Sequence, residues 1–140
     1  MTGAAMIEMT GEPSSVRDGL RRAMHSPPLV ALAQEDRSTA EIVLAEILNN
    51  IAEHAYSAGE GPIRLWLGWA EGRLSCRIED EGLPMPGGSP PVGRPPRPED
   101  LAEGGFGWHL IRSLAADLAY ERARGVNRLC FTLPAEQSVG

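Results

Sequence analysis

The chain has 140 residues, of which 42% are hydrophobic and 23% are charged, and its formal net charge is -6. This composition is typical of a globular protein, and we expect one domain over residues 1–140 with a core between about 7 and 134. The negative charge disfavours direct nonspecific binding to nucleic acid or to an anionic membrane. No apolar run reaches the roughly 18 to 20 residues of a membrane span. No signal-peptide pattern begins the chain, so we expect a cytoplasmic protein.

Cysteine and histidine spacing argues against a zinc site. Cys76 and Cys130 are far apart and both fall in expected strands, so we expect them to be reduced and packed. The three histidines, His25, His54 and His109, also lack the spacing of a metal motif.

The first third of the chain predicts a strand and two helices. Residues 4–10 are expected to form a strand, and a helix should follow with Val16, Leu20 and Ala23 at helical spacing. The pair Pro27-Pro28 should end or interrupt that helix.

The segment Glu41–Tyr56 predicts a long helix, with Asp36 or Ser38 as its N-cap. Its apolar residues recur at steps of three and four, which predicts a buried face. That face is expected to contain the following residues: Ile42, Leu44, Ala45, Leu48, Ile51, Ala52 and Ala55.

Three polar residues form a stripe beside this face. Glu46, Asn50 and Glu53 lie at positions i, i+4 and i+7, so they should be stacked on one side of the helix. Half-buried polar groups need partners, and Mg2+ with phosphate oxygens is one candidate. The alternative is that the stripe is the solvent edge of an amphipathic helix.

Alternating residues predict a β-hairpin. Strands are expected over Ile63–Ala70 and Arg73–Asp80, joined by Glu71-Gly72. The inward residues should be Ile63, Leu65, Leu67, Trp69, Leu74, Cys76 and Ile78. Asp80 continues this inward face, so its carboxylate needs a donor. The exocyclic amine of adenine is one candidate, and the alternative is a cap on the turn that contains Gly82.

A segment rich in proline and glycine follows, over residues 82–104. A loop of this length in a compact domain is often an active-site lid. Arg94 and Arg97 lie in it, and they would either reach phosphates on closure or remain solvated.

Glycines end the loop directly before a predicted helix over Trp108–Ala116. The run Gly104-Gly105-Phe106-Gly107 allows close backbone approach, and the free amides of the helix start attract phosphate. The chain is expected to close with two antiparallel strands, Asp117–Glu121 and Arg128–Leu133, around a turn at Arg124-Gly125, and with a loose tail from Pro134.

Three separated motifs have the order and content of one family: Glu46 and Asn50 with the following His54-Ala55-Tyr56, Asp80-Glu81-Gly82 with Pro84, and Gly105-Phe106-Gly107. The chain resembles the Bergerat ATP-binding fold of the GHKL superfamily, which includes histidine kinases, gyrase and MutL. Within this superfamily it is most similar to the anti-sigma-factor serine/threonine kinases of bacterial stress-response switches. The resemblance implies an α/β sandwich in which a mixed, mostly antiparallel sheet carries helices on one face.

The resemblance also implies a set of roles. Asn50 would coordinate Mg2+ and Asp80 would bind the adenine amine of ATP, while Gly82 would let the chain pass the base. The phosphates would be wrapped by Gly105, Phe106 and Gly107, and Glu46 would be the general base for a serine hydroxyl. The implied partners are a STAS-domain antagonist, a sigma factor and a second copy in a homodimer.

Three functions remain to be distinguished. The first is a serine kinase with anti-sigma output, and the second is a non-catalytic binding module that keeps the nucleotide site. The third, the catalytic domain of a histidine kinase, is disfavoured because no dimerising helix with a phosphoacceptor histidine is expected in 140 residues.

Overall fold

The computed structural model of the chain describes residues 4–56, 61–91 and 106–135, with the backbone alone at Phe106. The helices and strands of these residues are, in order, β1 (Ala5–Thr10), α1 (Pro13–Met24), α2 (Pro27–Val30), α3 (Gln34–Asn50), β2 (Pro62–Ala70), β3 (Arg73–Asp80), α4 (Phe106–Leu114), β4 (Ala116–Ala123) and β5 (Val126–Pro134). A π-helical turn, Ile51–Ala55, continues α3, and a short 3-10 turn, Pro86–Gly88, follows β3.

The described strands form one sheet in the order β1-β2-β3-β5-β4. The predicted α/β sandwich with helices on one face is confirmed, and the sheet, expected to be mixed and mostly antiparallel, is antiparallel at each described pair. After β3 the chain leaves the sheet, returns at its edge as β4 and turns back so that β5 lies beside β3. This topology sets Asp80 at the end of β3 opposite Asn127 at the start of β5.

Two tight turns set the strand registers. Glu71 and Gly72 have φ values of 52° and 77°, and Arg124 and Gly125 have φ values of 55° and 79°. Two consecutive left-handed residues match the twist of antiparallel strands, which explains why both hairpins form where they were predicted.

The core lies between the sheet and the helices. Its largest fully buried side chains include Phe131, Leu44, Ile47, Leu65, Leu74 and Leu133. Burial of each such side chain contributes about 1.5–3 kcal/mol. Cys76 is buried and Cys130 half-buried, and both thiols are free, as expected.

Helix α3 begins earlier than predicted. It starts at Gln34, with Ala33 at the N-cap position, so neither Asp36 nor Ser38 caps it. Glu35 and Asp36 instead lie in the first turn, where the helix dipole favours acidic side chains.

The predicted buried face of α3 is wrong at one edge. Ile42 is 45% exposed, whereas Val43 and Ile47, which the prediction left out, are almost fully buried. Both sets of residues recur at helical spacing, so the pattern alone allows either rotation of the helix. Packing against the sheet selects the rotation that buries Val43.

Glu53, the third residue of the predicted polar stripe, lies in the π-helical turn that continues α3. Its side chain is 71% exposed, and its carboxylate is 3.8 Å from the His54 ring. Glu53 therefore belongs to the solvent edge that was the alternative interpretation.

The ends of three elements also differ from the predictions. Helix α4 begins two residues before Trp108 and ends at Leu114, because Ala116 already pairs with Thr132 in the sheet. Strand β5 continues through Pro134, and Ala135 is buried, so the predicted loose tail does not begin there. Among the described residues, no helix is both long and apolar enough to span a membrane.

Candidate functional site

Glu46 and Asn50 lie one turn apart on α3, half-buried, and face the first turn of α4. A Cβ at Gly107 would lie 2.6 Å from Glu46 Oε2 and 3.7 Å from Asn50 Nδ2. A contact of 2.6 Å is too short for a side chain, so only glycine fits without a shift of Glu46. The tertiary structure therefore brings together three predicted site residues that are separated by up to 61 positions in the chain.

Asn50 has a buried polar atom that lacks a partner. Its Nδ2 atom makes no hydrogen bond with any residue that the structure describes. A buried amide without a partner costs about 1–3 kcal/mol, and such a group in a native fold calls for an explanation. A ligand that contacts the amide would remove this cost.

The described part of the chain holds no group of three or more His, Cys, Asp and Glu residues that could bind a metal. The residues at Asn50 nevertheless fit a nucleotide-bound Mg2+. This ion prefers oxygen ligands and is usually held by few protein groups together with phosphate oxygens. The side-chain carbonyl oxygen of an asparagine is a ligand of this type, and the side-chain amide nitrogen can donate to a phosphate oxygen.

Asp80 lies at the other end of the site and is only 5% exposed. Its Oδ1 atom accepts hydrogen bonds from Gly82 N at 2.9 Å and from Asn127 Nδ2 at 2.8 Å. The carboxylate thus points inward and also caps the turn, so the two alternatives for Asp80 are compatible. Burial raises the pKa of Asp80, while the two hydrogen bonds and Arg122 oppose this rise.

Gly82 contacts the backbone at the end of the π-helical turn that continues α3. A Cβ at Gly82 would lie 2.4 Å from the carbonyl oxygen of Ala55, and Leu83 N donates to the same oxygen at 3.0 Å. The π-helical turn therefore connects the two ends of the site, since Asn50 precedes it and Ala55 ends it. π-helical turns are rare and are frequently found at functional sites.

Tyr56 holds the end of the π-helical turn against β2 and against the residue that follows β3. Its hydroxyl donates to Pro62 O at 2.7 Å and accepts a hydrogen bond from Glu81 N at 2.6 Å. Burial raises the pKa of Tyr56, so the phenol stays protonated and can donate. Gly11 and Gly61 lie against its ring, where a Cβ would be 2.8 Å and 2.4 Å from ring carbons.

Three residues of the site were not predicted from the sequence: Asn127, Tyr120 and Arg122. They lie on the β4–β5 hairpin and bond to Asp80 or to the loop that follows it. The inward position of Asn127 could have been predicted from the sequence. Asn127 alternates with Leu129, Phe131 and Leu133, so it belongs to the inward face of β5.

The remaining predicted residues fall mostly outside the described ranges. Arg94, Arg97 and Gly105 are not among the described residues, and Phe106 opens α4 without a described side chain. Of the predicted lid, only residues 82–91 are described. They are held by Met85 N, which donates to Tyr120, and by Arg112, which donates to the carbonyl oxygens of Pro90 and Pro91.

Comparisons with known proteins found a matching family, a similar protein and a similar solved structure. The histidine kinase-like ATPase domain family matches residues 9–133. The serine/threonine-protein kinase BtrW of Bordetella bronchiseptica is 35% identical over 100 residues, which cover 69% of each chain. The structure of the RsbU and RsbW domains of Rv1364c from Mycobacterium tuberculosis has a TM-score of 0.60 and 15% identity, over 99% of this chain and 35% of that one.

The structural likeness shows the fold alone, and this chain spans about a third of the protein in that structure. The family match covers most of the described residues, including Glu46, Asn50, Asp80, Gly82 and Gly107. The predicted resemblance to the serine/threonine kinases of the GHKL superfamily is confirmed by the match to BtrW. The chain therefore belongs to the histidine kinase-like ATPase domain family.

Proposed function

We propose that the protein is an ATP-dependent protein serine/threonine kinase that phosphorylates a STAS-domain antagonist and, as its other output, sequesters a sigma factor. The observation that carries this proposal is the convergence of Glu46, Asn50 and Gly107 at the start of α4. The name of the relative BtrW supports a serine/threonine kinase. A homodimer is part of the proposal.

In this proposal, ATP binds between α3 and α4. Asp80 accepts a hydrogen bond from the adenine amine, and the first turn of α4 with Gly105 and Gly107 binds the phosphates. Asn50 holds Mg2+, which would neutralise charge on the phosphates. Arg94 and Arg97 are proposed to contact the phosphates from the loop.

Glu46 is proposed as the general base. Phosphoryl transfer requires mainly positioning and neutralisation of charge, together with a carboxylate that orients the attacking hydroxyl and accepts its proton. Glu46 is one turn from Asn50 on the same side of α3, so a carboxylate lies beside the proposed phosphate site. The serine oxygen would attack the terminal phosphorus, ADP would leave, and Glu46 would take the hydroxyl proton.

Two measurements test the proposal. Purified protein, freed of bound nucleotide, should transfer labelled phosphate from ATP to serine of a STAS-domain substrate in the presence of Mg2+. Saturation with Mg-ATP at ~100 times its dissociation constant should stabilise the fold by about 2.7 kcal/mol. A melting temperature unmoved by millimolar Mg-ATP would refute the nucleotide site, whereas nucleotide binding without phosphotransfer would favour a non-catalytic binding module.

A further inference from the structure

Asn127 is a buried amide that donates to Asp80, the proposed acceptor of the nucleobase amine. It is 4% exposed and lies opposite Asp80 in the sheet. Its Nδ2 atom donates to Asp80 Oδ1 at 2.8 Å, to Leu83 O at 2.9 Å and to Gly82 O at 3.3 Å. All three partners are acceptors, so this end of the side chain must be the amino group.

The opposite end of the amide is fixed as well. Asn127 Oδ1 accepts hydrogen bonds from the Tyr120 hydroxyl and from Arg122 Nη1. A rotated amide would place its carbonyl oxygen against three acceptors and its amino group against two donors. The β4–β5 hairpin therefore imposes one orientation on Asn127.

This orientation determines which oxygen of Asp80 is available. Oδ1 already accepts two hydrogen bonds, from Gly82 N and from Asn127 Nδ2. Among the described residues, none donates to Oδ2. The carboxylate is thus held by one oxygen, and the other remains an acceptor for a ligand.

We infer that Asn127 is a positioning residue that determines nucleobase specificity: it holds the Asp80 carboxylate as a pure acceptor, which selects a base with an exocyclic amino group over a base with an oxo group in its place. This inference rests on the proposed nucleotide site. Asn127 acts through Asp80 and need not touch the nucleotide itself.

The chemical reason is the protonation of Asp80. An ionised carboxylate only accepts hydrogen bonds, so it matches the amine of adenine and opposes the oxo group of hypoxanthine. Burial favours the neutral form, and the Asn127 donor favours the ionised one. A protonated Asp80 could donate to an oxo group, and discrimination between the two bases would then be lost.

Asn127→Asp removes this donor, together with its hydrogen bonds to Leu83 O and Gly82 O. The variant keeps an acceptor for Tyr120 and Arg122 but places a second carboxyl group against Asp80, and two adjacent carboxylates share a proton. The other groups that interact electrostatically with Asp80, namely Arg122, Glu81 and the Tyr56 phenol, stay the same. Ser26→Ala is a matched control, because Ser26 is a buried polar residue that donates to Ala23 O, far from Asp80 in the chain.

The experiment measures dissociation constants of Mg-ADP and Mg-IDP for the full chain by titration calorimetry. Wild type and Ser26→Ala should prefer ADP by roughly 10- to 100-fold, the range of one hydrogen bond to a charged group. In Asn127→Asp this ratio should fall to within about threefold of one. Tyr120→Phe, which removes one of the two donors that orient Asn127, should show an intermediate ratio and serves if Asn127→Asp does not fold.

The outcomes separate the inference from the proposed function. Selective ADP binding by wild type with an unchanged ratio in both variants would overturn the role of Asn127 and leave the function standing. Equal weakening of both nucleotides would assign Asn127 a merely structural role and would also overturn it. If wild type binds neither nucleotide, the proposed function fails and the inference falls with it.

Discussion

Gly107 and Glu46 are in such close contact that a Cβ on the glycine would lie 2.6 Å from the carboxylate oxygen Oε2. Helix α4 begins only one residue earlier, at Phe106. The first four amides of a helix have no partner within it. The proposed base and the proposed phosphate-binding amides are therefore adjacent, and this adjacency suggests substitutions that separate catalysis, binding and stability.

Replacement Gly107→Ala should impair catalysis more than folding. The added methyl group meets the far end of the flexible Glu46 side chain, so the carboxylate can move aside. Alanine in a helix is favoured over glycine by roughly 0.5–1 kcal/mol, so the free energy of unfolding should change by no more than about this amount. A displaced base should slow phosphotransfer by roughly 100-fold. Gly68→Ala is the control, because a Cβ there meets no described atom within 4 Å.

Replacement Glu46→Gln should remove the base but keep the shape of the side chain. We expect nucleotide and partner binding within a few-fold of wild type and phosphotransfer reduced by ~100-fold or more. Glu53→Gln provides a matched control, since Glu53 lies near the end of the same helical segment but is exposed. A time course of phosphotransfer beside a binding titration decides the question, and full activity in Glu46→Gln would remove this residue from the mechanism.

Replacement Asn50→Ala should uncouple stability from function. Because Asn50 Nδ2 lacks a partner among the described residues, its removal relieves a cost of about 1–3 kcal/mol. The free energy of unfolding should therefore fall little or even rise, while the Mg2+-dependent part of the ATP affinity disappears. Urea unfolding and calorimetry with and without Mg2+ measure both effects. Asn49→Ala, which changes an exposed neighbour, should alter neither the free energy of unfolding nor the Mg2+-dependent ATP affinity. A large loss of stability in Asn50→Ala would contradict the prediction.

Replacement Asp80→Asn should weaken ATP binding by roughly 1.5–3 kcal/mol, the value of a hydrogen bond to a charged group. Its effect on stability should depend on pH. Burial raises the pKa of Asp80 above its ordinary value of 3.8, so ionisation of the folded protein is unfavourable. In wild type, the Asp80 carboxyl therefore contributes its full stabilisation of the folded state below pH 3.8. This contribution is lost as the pH rises through the pKa of Asp80 in the folded protein.

The asparagine variant lacks this loss, so its stability relative to wild type should be greater at pH 7 than in acid. Urea unfolding at several pH values measures the difference. A relative stability that is independent of pH would show that Asp80 does not titrate as the buried geometry requires. If Asp80→Asn binds ATP as tightly as wild type, Asp80 serves only as a turn cap.

Replacement Gly82→Ala should destabilise the fold itself. A Cβ would lie 2.4 Å from the carbonyl oxygen of Ala55, and backbone cannot move aside as a side-chain end can. Overpacking of this kind costs about 1–3 kcal/mol. Chemical unfolding measures it, and the same Gly68→Ala variant gives the baseline. Unchanged stability would mean that the π-helical turn is not held against the loop after β3.

The sequence alone determined the features that depend on local geometry. Side chains alternate along any strand, so the inward direction of Asp80 followed from its place after Leu74, Cys76 and Ile78. The two left-handed turns also follow from short local sequences that contain glycine. Helical spacing likewise placed Glu46 and Asn50 on one side of their helix, whereas the roles expected of these residues and of Gly107 came from the resemblance to a known family.

Only the tertiary structure decided the features that depend on distant neighbours. The rotation of α3 that buries Val43 in place of Ile42 is set by the sheet, because two adjacent stripes satisfy the same helical period. The bond from Asn127 to Asp80 joins residues 47 positions apart, and it exists because β5 returns to lie beside β3. A strand's own alternation determines where its side chains point, whereas the neighbouring strand determines which residues they contact.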